Sequence, residues 1–165
     1  METIRKEKLY TFSDWLAWPE GERWEIIDGV AYMMAPPSIR HQGISVELCG
    51  QLREFLKDKA CKVYPAIGVR LDSDGDTVFE PDISIVCDKS KLADGKVCNG
   101  APDMIIEILS PSTAGVDKLE KFIKLTTLPK STGAKTLIHV LNLSSEKRGV
   151  YYGNTKNYDK EFYSI

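Results

Sequence analysis

Two short apolar runs, EPDISIV from Glu80 to Val86 and DMIIEILS from Asp103 to Ser110, constrain this chain more than any other feature. Each reads as a buried strand bounded by turn formers or proline. Yet the first opens on acids and the second carries one inside its apolar core. A carboxylate is expensive to bury unless something pairs with it, so the two runs point to a shared partner. In an extended chain alternate side chains share a face. Asp82 therefore points opposite to Ile83 and Ile85, and Glu107 lies with Ile105 and Leu109. If the two strands are neighbours, their carboxylates converge. Two close carboxylates do not both stay ionised unaided: one holds a proton to raised pH, or a divalent cation neutralises the pair. An oxygen-only ligand set favours Mg2+ or Mn2+ over zinc. A plainer reading stands beside this one, with Asp82 as a strand-start cap after Pro81 and Glu107 paired with a lysine on an edge.

The remaining pattern is mixed rather than a regular alternation of strand and helix. Thr11 caps a short helix through Trp18, ended by Pro19. Arg23 to Ile27 and Val30 to Met34 read as a hairpin around a tight Asp28-Gly29 turn. From Ser38, another N-cap, residues Ile44, Leu48, Leu52 and Leu56 recur every four and make one face of a helix to about Lys57. His41 begins that stripe. Extended stretches are expected at Lys62 to Leu71 and Thr77 to Val86, separated by the turn-rich DSDGD. The buried run Met104 to Leu109 follows, then a helix around Asp117 with Leu119, Phe122, Ile123 and Thr126 inward. A strand in AKTLIHVLN and a closing edge strand or hairpin through EFYSI complete the order. The fold class is mixed α/β (α+β), a central mixed β-sheet flanked by helices.

With 165 residues the chain suits one domain, 1–165, and no segment approaches the ~18 uninterrupted apolar residues of a membrane span. No membrane association is expected. The charged N-terminus, METIRKEKLYTFSDW, has no apolar core of a secretory signal, which points to the cytoplasm. The four cysteines, Cys49, Cys61, Cys87 and Cys98, form no C-x-x-C pair and are expected as reduced, packed thiols. A formal net charge of -2 carries no global signal for nucleic acid, so any such binding needs a local patch or metal-neutralised acids.

Three further positions carry chemistry with a plainer alternative. Glu25 is a third acid in an apolar setting, WEII, though a half-exposed strand acid would look the same. His41 could hydrogen-bond an active-site water or phosphate, or be a satisfied core histidine. Asp117 and Lys121 stand i, i+4, as an ordinary surface pair would. Lys118, Lys121 and Lys124 form a modest cationic strip suited to phosphates or to solvent. Asp28 has a turn role before Gly29.

Taken in order, WEIIDG, His41 opening a helix, EPDISIV, IIEILSPST and DKLEK resemble the Uma family of putative restriction endonucleases, within the PD-(D/E)XK nuclease-like superfamily. The resemblance spans roughly Thr11 to Phe122. It implies a restriction-endonuclease-like mixed sheet flanked by helices and a Mg2+- or Mn2+-dependent endonuclease acting on DNA. By that resemblance Asp82 matches the first acid of the motif and Glu107 the second, the two metal ligands, while Glu25 matches an acid contributed from the first helix-and-strand region. The lysine of the standard motif falls two residues after Glu107, where this chain has Leu109. Lys121 in DKLEK matches the place from which this family supplies the cation. Lys118 and His41 are expected to contact substrate. After the lysine, relatives show a tyrosine and then a Gly-Val, Glu-Tyr-Trp stretch, whereas this chain reads FIKLTTLPKSTGAKTLIHVLN. That departure supports a rival expectation, a nuclease-fold protein that binds or scaffolds without cutting. Cutting both strands of a duplex is most simply done by two symmetric sites, so a homodimer is expected.

Overall fold

The computed structural model describes residues 9–71, 76–109, 137–142, 147–152 and 160–164. The helix expected around Asp117 lies outside them. Thr11 opens α1 (Phe12–Ala17) through a capping box, its hydroxyl accepting from the Asp14 N–H at 3.3 Å while Asp14 Oδ2 accepts from the Thr11 N–H at 2.8 Å. Extended backbone at Trp18, followed by Pro19, ends it. The expected hairpin forms from β1 (Trp24–Ile27) and β2 (Val30–Met33), paired antiparallel. Asp28 (φ 51°) and Gly29 (φ 80°) both take left-handed backbone, as a two-residue hairpin turn with the twist of its strands requires. The long helix is α2 (Ile39–Phe55). Ser38 Oγ accepts the His41 N–H at 3.2 Å, which fixes His41 in the first turn.

The two extended stretches expected over Lys62 to Leu71 and Thr77 to Val86 are each broken in the middle. The first divides into β3 (Lys62–Pro65) and β4 (Val69–Arg70), the second into β5 (Val78–Phe79) and β6 (Ile83–Val86). Ala66, at φ 44°, turns the chain out of strand geometry after β3. Pro81, with no N–H to give a ladder, separates β5 from β6. The two breaks are tied together, since the Ala66 N–H donates to the Asp82 carbonyl at 3.1 Å.

A 3-10 turn (Lys89–Leu92) capped by Asp88, and β7 (Cys98–Asn99), follow without having been expected. Then come β8 (Met104–Leu109), β9 (Leu137–Asn142), β10 (Lys147–Tyr152) and β11 (Lys160–Ser164), where the sequence places strands. Because of the breaks, the strands sort into two sheets rather than one. One has five strands in the order β2-β1-β5-β4-β7, the other six in the order β11-β10-β9-β8-β6-β3. Both are mixed, with β4 parallel to β7 and β8 parallel to β9.

A buried cluster draws on both sheets: Val69, Phe79 and Cys98 from the first, Val86 and Ile105 from the second. Burial of this kind contributes roughly 25 cal/mol per Å2 of apolar surface. Trp15 fastens α1 to the first sheet, its indole N–H donating to the Trp24 carbonyl at 2.7 Å. Among the described residues no helix is long and apolar enough to cross a membrane.

The cysteines correct the expectation of four reduced thiols. Cys61 and Cys87 form a disulfide, while Cys49 and Cys98 are free. The pairing of Lys62 with Val86 sets the two cysteines opposite each other at the end of the β3–β6 ladder. Separated by 26 residues, they show no short-range spacing that could have announced the bridge. Burial pushes the Cys98 thiol up to about 11.

Candidate active site

Both acid-bearing runs form interior strands of the six-stranded sheet, and they are neighbours. β6 and β8 pair antiparallel through Ile83↔Ile106, Ser84↔Ile105 and Ile85↔Met104. The pairing stops at Ile83↔Ile106, and Asp82 and Glu107 are the next residue of each strand beyond it, so the two acids flank the end of the β6–β8 ladder. Glu107 is 4% exposed. It stands two residues from Ile105 on the same strand, so alternation turns both toward the space between the sheets. The reading of Glu107 as an edge residue does not fit, because β8 has β9 on one side and β6 on the other.

Asp82 is held by two donors, both on Oδ2. The Ile108 N–H donates at 2.7 Å, and His41 Nε2 lies 3.0 Å away. The first contact has a local cause. β6 ends at Ile83 because Pro81 bends the chain away, and the Asp82 carboxylate takes the place of the missing ladder carbonyl for Ile108. The strand-cap role foreseen as a plainer alternative is therefore one part of what Asp82 does. The second contact crosses from α2. A carboxylate only accepts, so Nε2 is the protonated nitrogen of this contact. His41 Nδ1 is buried and has no hydrogen-bond partner among the described residues. His41 and Asp82 are nearly enclosed, with side-chain exposures of 13% and 12%. Both contacts use Oδ2.

Glu25 arrives from the other sheet. It is 6% exposed, and the Ile26↔Val78 pairing sets it opposite Phe79, whose ring belongs to the inter-sheet cluster. Its Oε1 accepts the Glu80 N–H at 3.0 Å. Glu25 thus reaches the site through the backbone two residues before Asp82. Glu80 was not singled out by the sequence, nor was Arg23, which grips it. Arg23 Nε and Nη2 both donate to Glu80 Oε2, at 3.0 and 2.9 Å. A sequence separation of 57 carries no local signal of the pairing.

Lys121 and Lys118, expected as the catalytic cation and a substrate contact, lie outside the described residues. Asp28 sits in its hairpin turn, as expected. Among the described residues, no group of three or more His, Cys, Asp or Glu side chains converges as a metal cage. A pair of carboxylates does not need one to suit Mg2+, which keeps several waters and is commonly held by one or two carboxylates with substrate phosphate.

The model of the family Uma2, described as "Putative restriction endonuclease", matches residues 11–125. This chain belongs to the Uma2 family. The matched segment runs from α1 past β8, and so contains Glu25, His41, Asp82, Glu107 and Lys121. An uncharacterized protein from Synechocystis sp. is 26% identical over 133 residues, covering 79% of this chain and 75% of that protein. A crystal structure from Anabaena variabilis, described as a "putative nuclease belonging to DUF820", superimposes with a TM-score of 0.71 at 21% identity. It covers 94% of this chain and 84% of its own. At that identity the likeness establishes a shared fold, and this Uma2 protein has the mixed sheet and helices of a nuclease-like fold.

Proposed function

We propose that this Uma2 protein is a divalent-metal-dependent endonuclease that hydrolyses DNA phosphodiester bonds. The observation that supports it most directly is that β6 and β8 are paired neighbours, with Asp82 and Glu107 the next residue of each beyond the last pair, Ile83↔Ile106. The donor set, carboxylate oxygens, fits a hard cation. Asp82 and Glu107 would hold Mg2+ or Mn2+. When bound, the cation supplies a water of lowered pKa and polarises the scissile phosphate.

The chain's own residues then have separable tasks. His41 fixes the orientation of Asp82 and contacts the substrate. Glu25 holds the chain that leads into Asp82 and completes an acidic wall. Lys121 stabilises charge developing on the phosphoryl oxygens, and Lys118 steadies the substrate backbone. A homodimer would present two such sites to the two strands of a duplex.

The test is incubation with plasmid and single-stranded DNA across Mg2+, Mn2+ and EDTA. Cleavage is expected with either metal, none in EDTA, and a loss of orders of magnitude in Glu107→Gln and Lys121→Ala. A protein that binds the same DNA without cutting it under any of these conditions would instead be a nuclease-fold binding protein.

A further inference from the structure

The tripeptide Glu80-Pro81-Asp82 passes from one sheet to the other, and it is gripped on every side. Pro81 fixes its own φ and restricts Glu80 to extended backbone, so little freedom remains in the link. Ahead of the proline, Glu25 Oε1 accepts the Glu80 N–H at 3.0 Å and Arg23 holds the Glu80 carboxylate by two donors at 3.0 and 2.9 Å. Behind it, the Asp82 carbonyl accepts from Ala66 at 3.1 Å. Arg23 is itself anchored, its carbonyl accepting the Met34 N–H at 2.9 Å beside the hairpin. A charged pair with side-chain exposures of 35% and 15% gains little net stability, since desolvation and ordering offset most of the attraction. What such a pair does supply is direction. A guanidinium gripping through two donors admits fewer orientations than a single contact.

We infer that Arg23, Glu80 and Glu25 form a clamp that positions Asp82, so that Arg23 and Glu80 are positioning residues for the site although neither touches the reacting atoms. The inference rests on the proposed metal-dependent reading for its purpose, but its geometry does not depend on a metal. The clamp reaches the site by one path. It holds the backbone on the amino side of Asp82 while Ile108 and His41 hold the carboxylate on the other. Loosening the first allows Asp82 to rotate away from the second.

The experiment compares wild type with Arg23→Ala, Glu80→Ala and Asp82→Asn. One readout is the imidazole resonance of His41 at fixed pH without metal, easily assigned because the chain has only His41 and His139. The other is Mn2+ affinity by calorimetry. The clamp predicts that Arg23→Ala and Glu80→Ala both move the His41 resonance toward its position in Asp82→Asn and weaken Mn2+ binding by about tenfold, while the thermal midpoint falls by only a few degrees. A His41 resonance at its wild-type position in both variants would overturn the inference. Should Arg23→Ala fail to fold, Glu80→Ala, which removes the acceptor of both Arg23 donors and leaves the Glu80 N–H to Glu25, decides the matter alone. If the wild type binds no Mn2+, the metal-dependent reading fails, and the His41 resonance still judges the clamp by itself.

Discussion

Asp82 carries two duties on one carboxylate, and substitutions can separate them. Oδ2 completes the ladder for the Ile108 N–H, a structural task, and the negative charge is what the proposed cation would need. Asp82→Ala removes the acceptor and leaves a partly buried N–H unpaired, at an expected cost of about 1–3 kcal/mol. Asp82→Asn keeps a carbonyl oxygen for Ile108 and should unfold within about 1 kcal/mol of wild type, yet it lacks the charge a hard cation requires. Urea unfolding of both variants checks this. Equal losses in the two would mean that charge, rather than the ladder bond, is what the fold uses at this position. His41 shows why local reading stops short at this scale. Its place on the inward stripe of α2 was visible in the spacing, but its contact with Asp82 depends on a packing of helix against sheet that no spacing encodes.

At the scale of elements, Gly68 illustrates how tightly α1 seats on the first sheet. A Cβ added there would lie 2.9 Å from Cη2 of Trp15 and 3.0 Å from Cγ1 of Val97, both in packed surroundings. Gly68→Ala is expected to cost about 1–3 kcal/mol by overpacking. By contrast, Gly43 lies within α2 with nothing inside 4 Å of a built Cβ, so Gly43→Ala should stabilise by about 0.5–1 kcal/mol. Denaturant midpoints with unchanged slopes would register both effects. The elements legible in the sequence were those with strong local codes: Thr11 capping α1, the Asp28-Gly29 hairpin, Ser38 opening α2, and the apolar run of β8. What could not be read was the division of two long extended stretches between sheets. Ala66 in left-handed backbone has no composition signal, because alanine rarely adopts that conformation. Pro81 was visible, but its consequence was read as a strand start for Asp82 rather than as a passage between sheets. The two carboxylate runs were correctly expected as strands, whereas the Arg23–Glu80 grip depended on that same unseen passage.

Across the whole molecule, the site sits where two sheets exchange a strand's worth of chain, and the disulfide closes the far end of the β3–β6 pair. Bridging residues 26 apart removes freedom from the unfolded chain worth about 3.5 kcal/mol on the loop-entropy account, so the paired Cys61→Ser, Cys87→Ser variant should be less stable by roughly that amount under oxidising conditions. The difference should vanish when wild type is assayed in excess reductant. Thiol titration of the denatured, unreduced protein should find the two free cysteines, Cys49 and Cys98, reactive. The family assignment covers residues 11–125 and the superposition covers 94% of the chain, so the acids are framed by a fold that extends well beyond them. In the proposed function Asp82 and Glu107 together hold one divalent cation. Calorimetric titration of Mn2+ into wild type, Asp82→Asn and Glu107→Gln tests it most directly. One site in the wild type, weakened at least tenfold in each variant while both remain folded, is the predicted result; undiminished binding in both variants would contradict it.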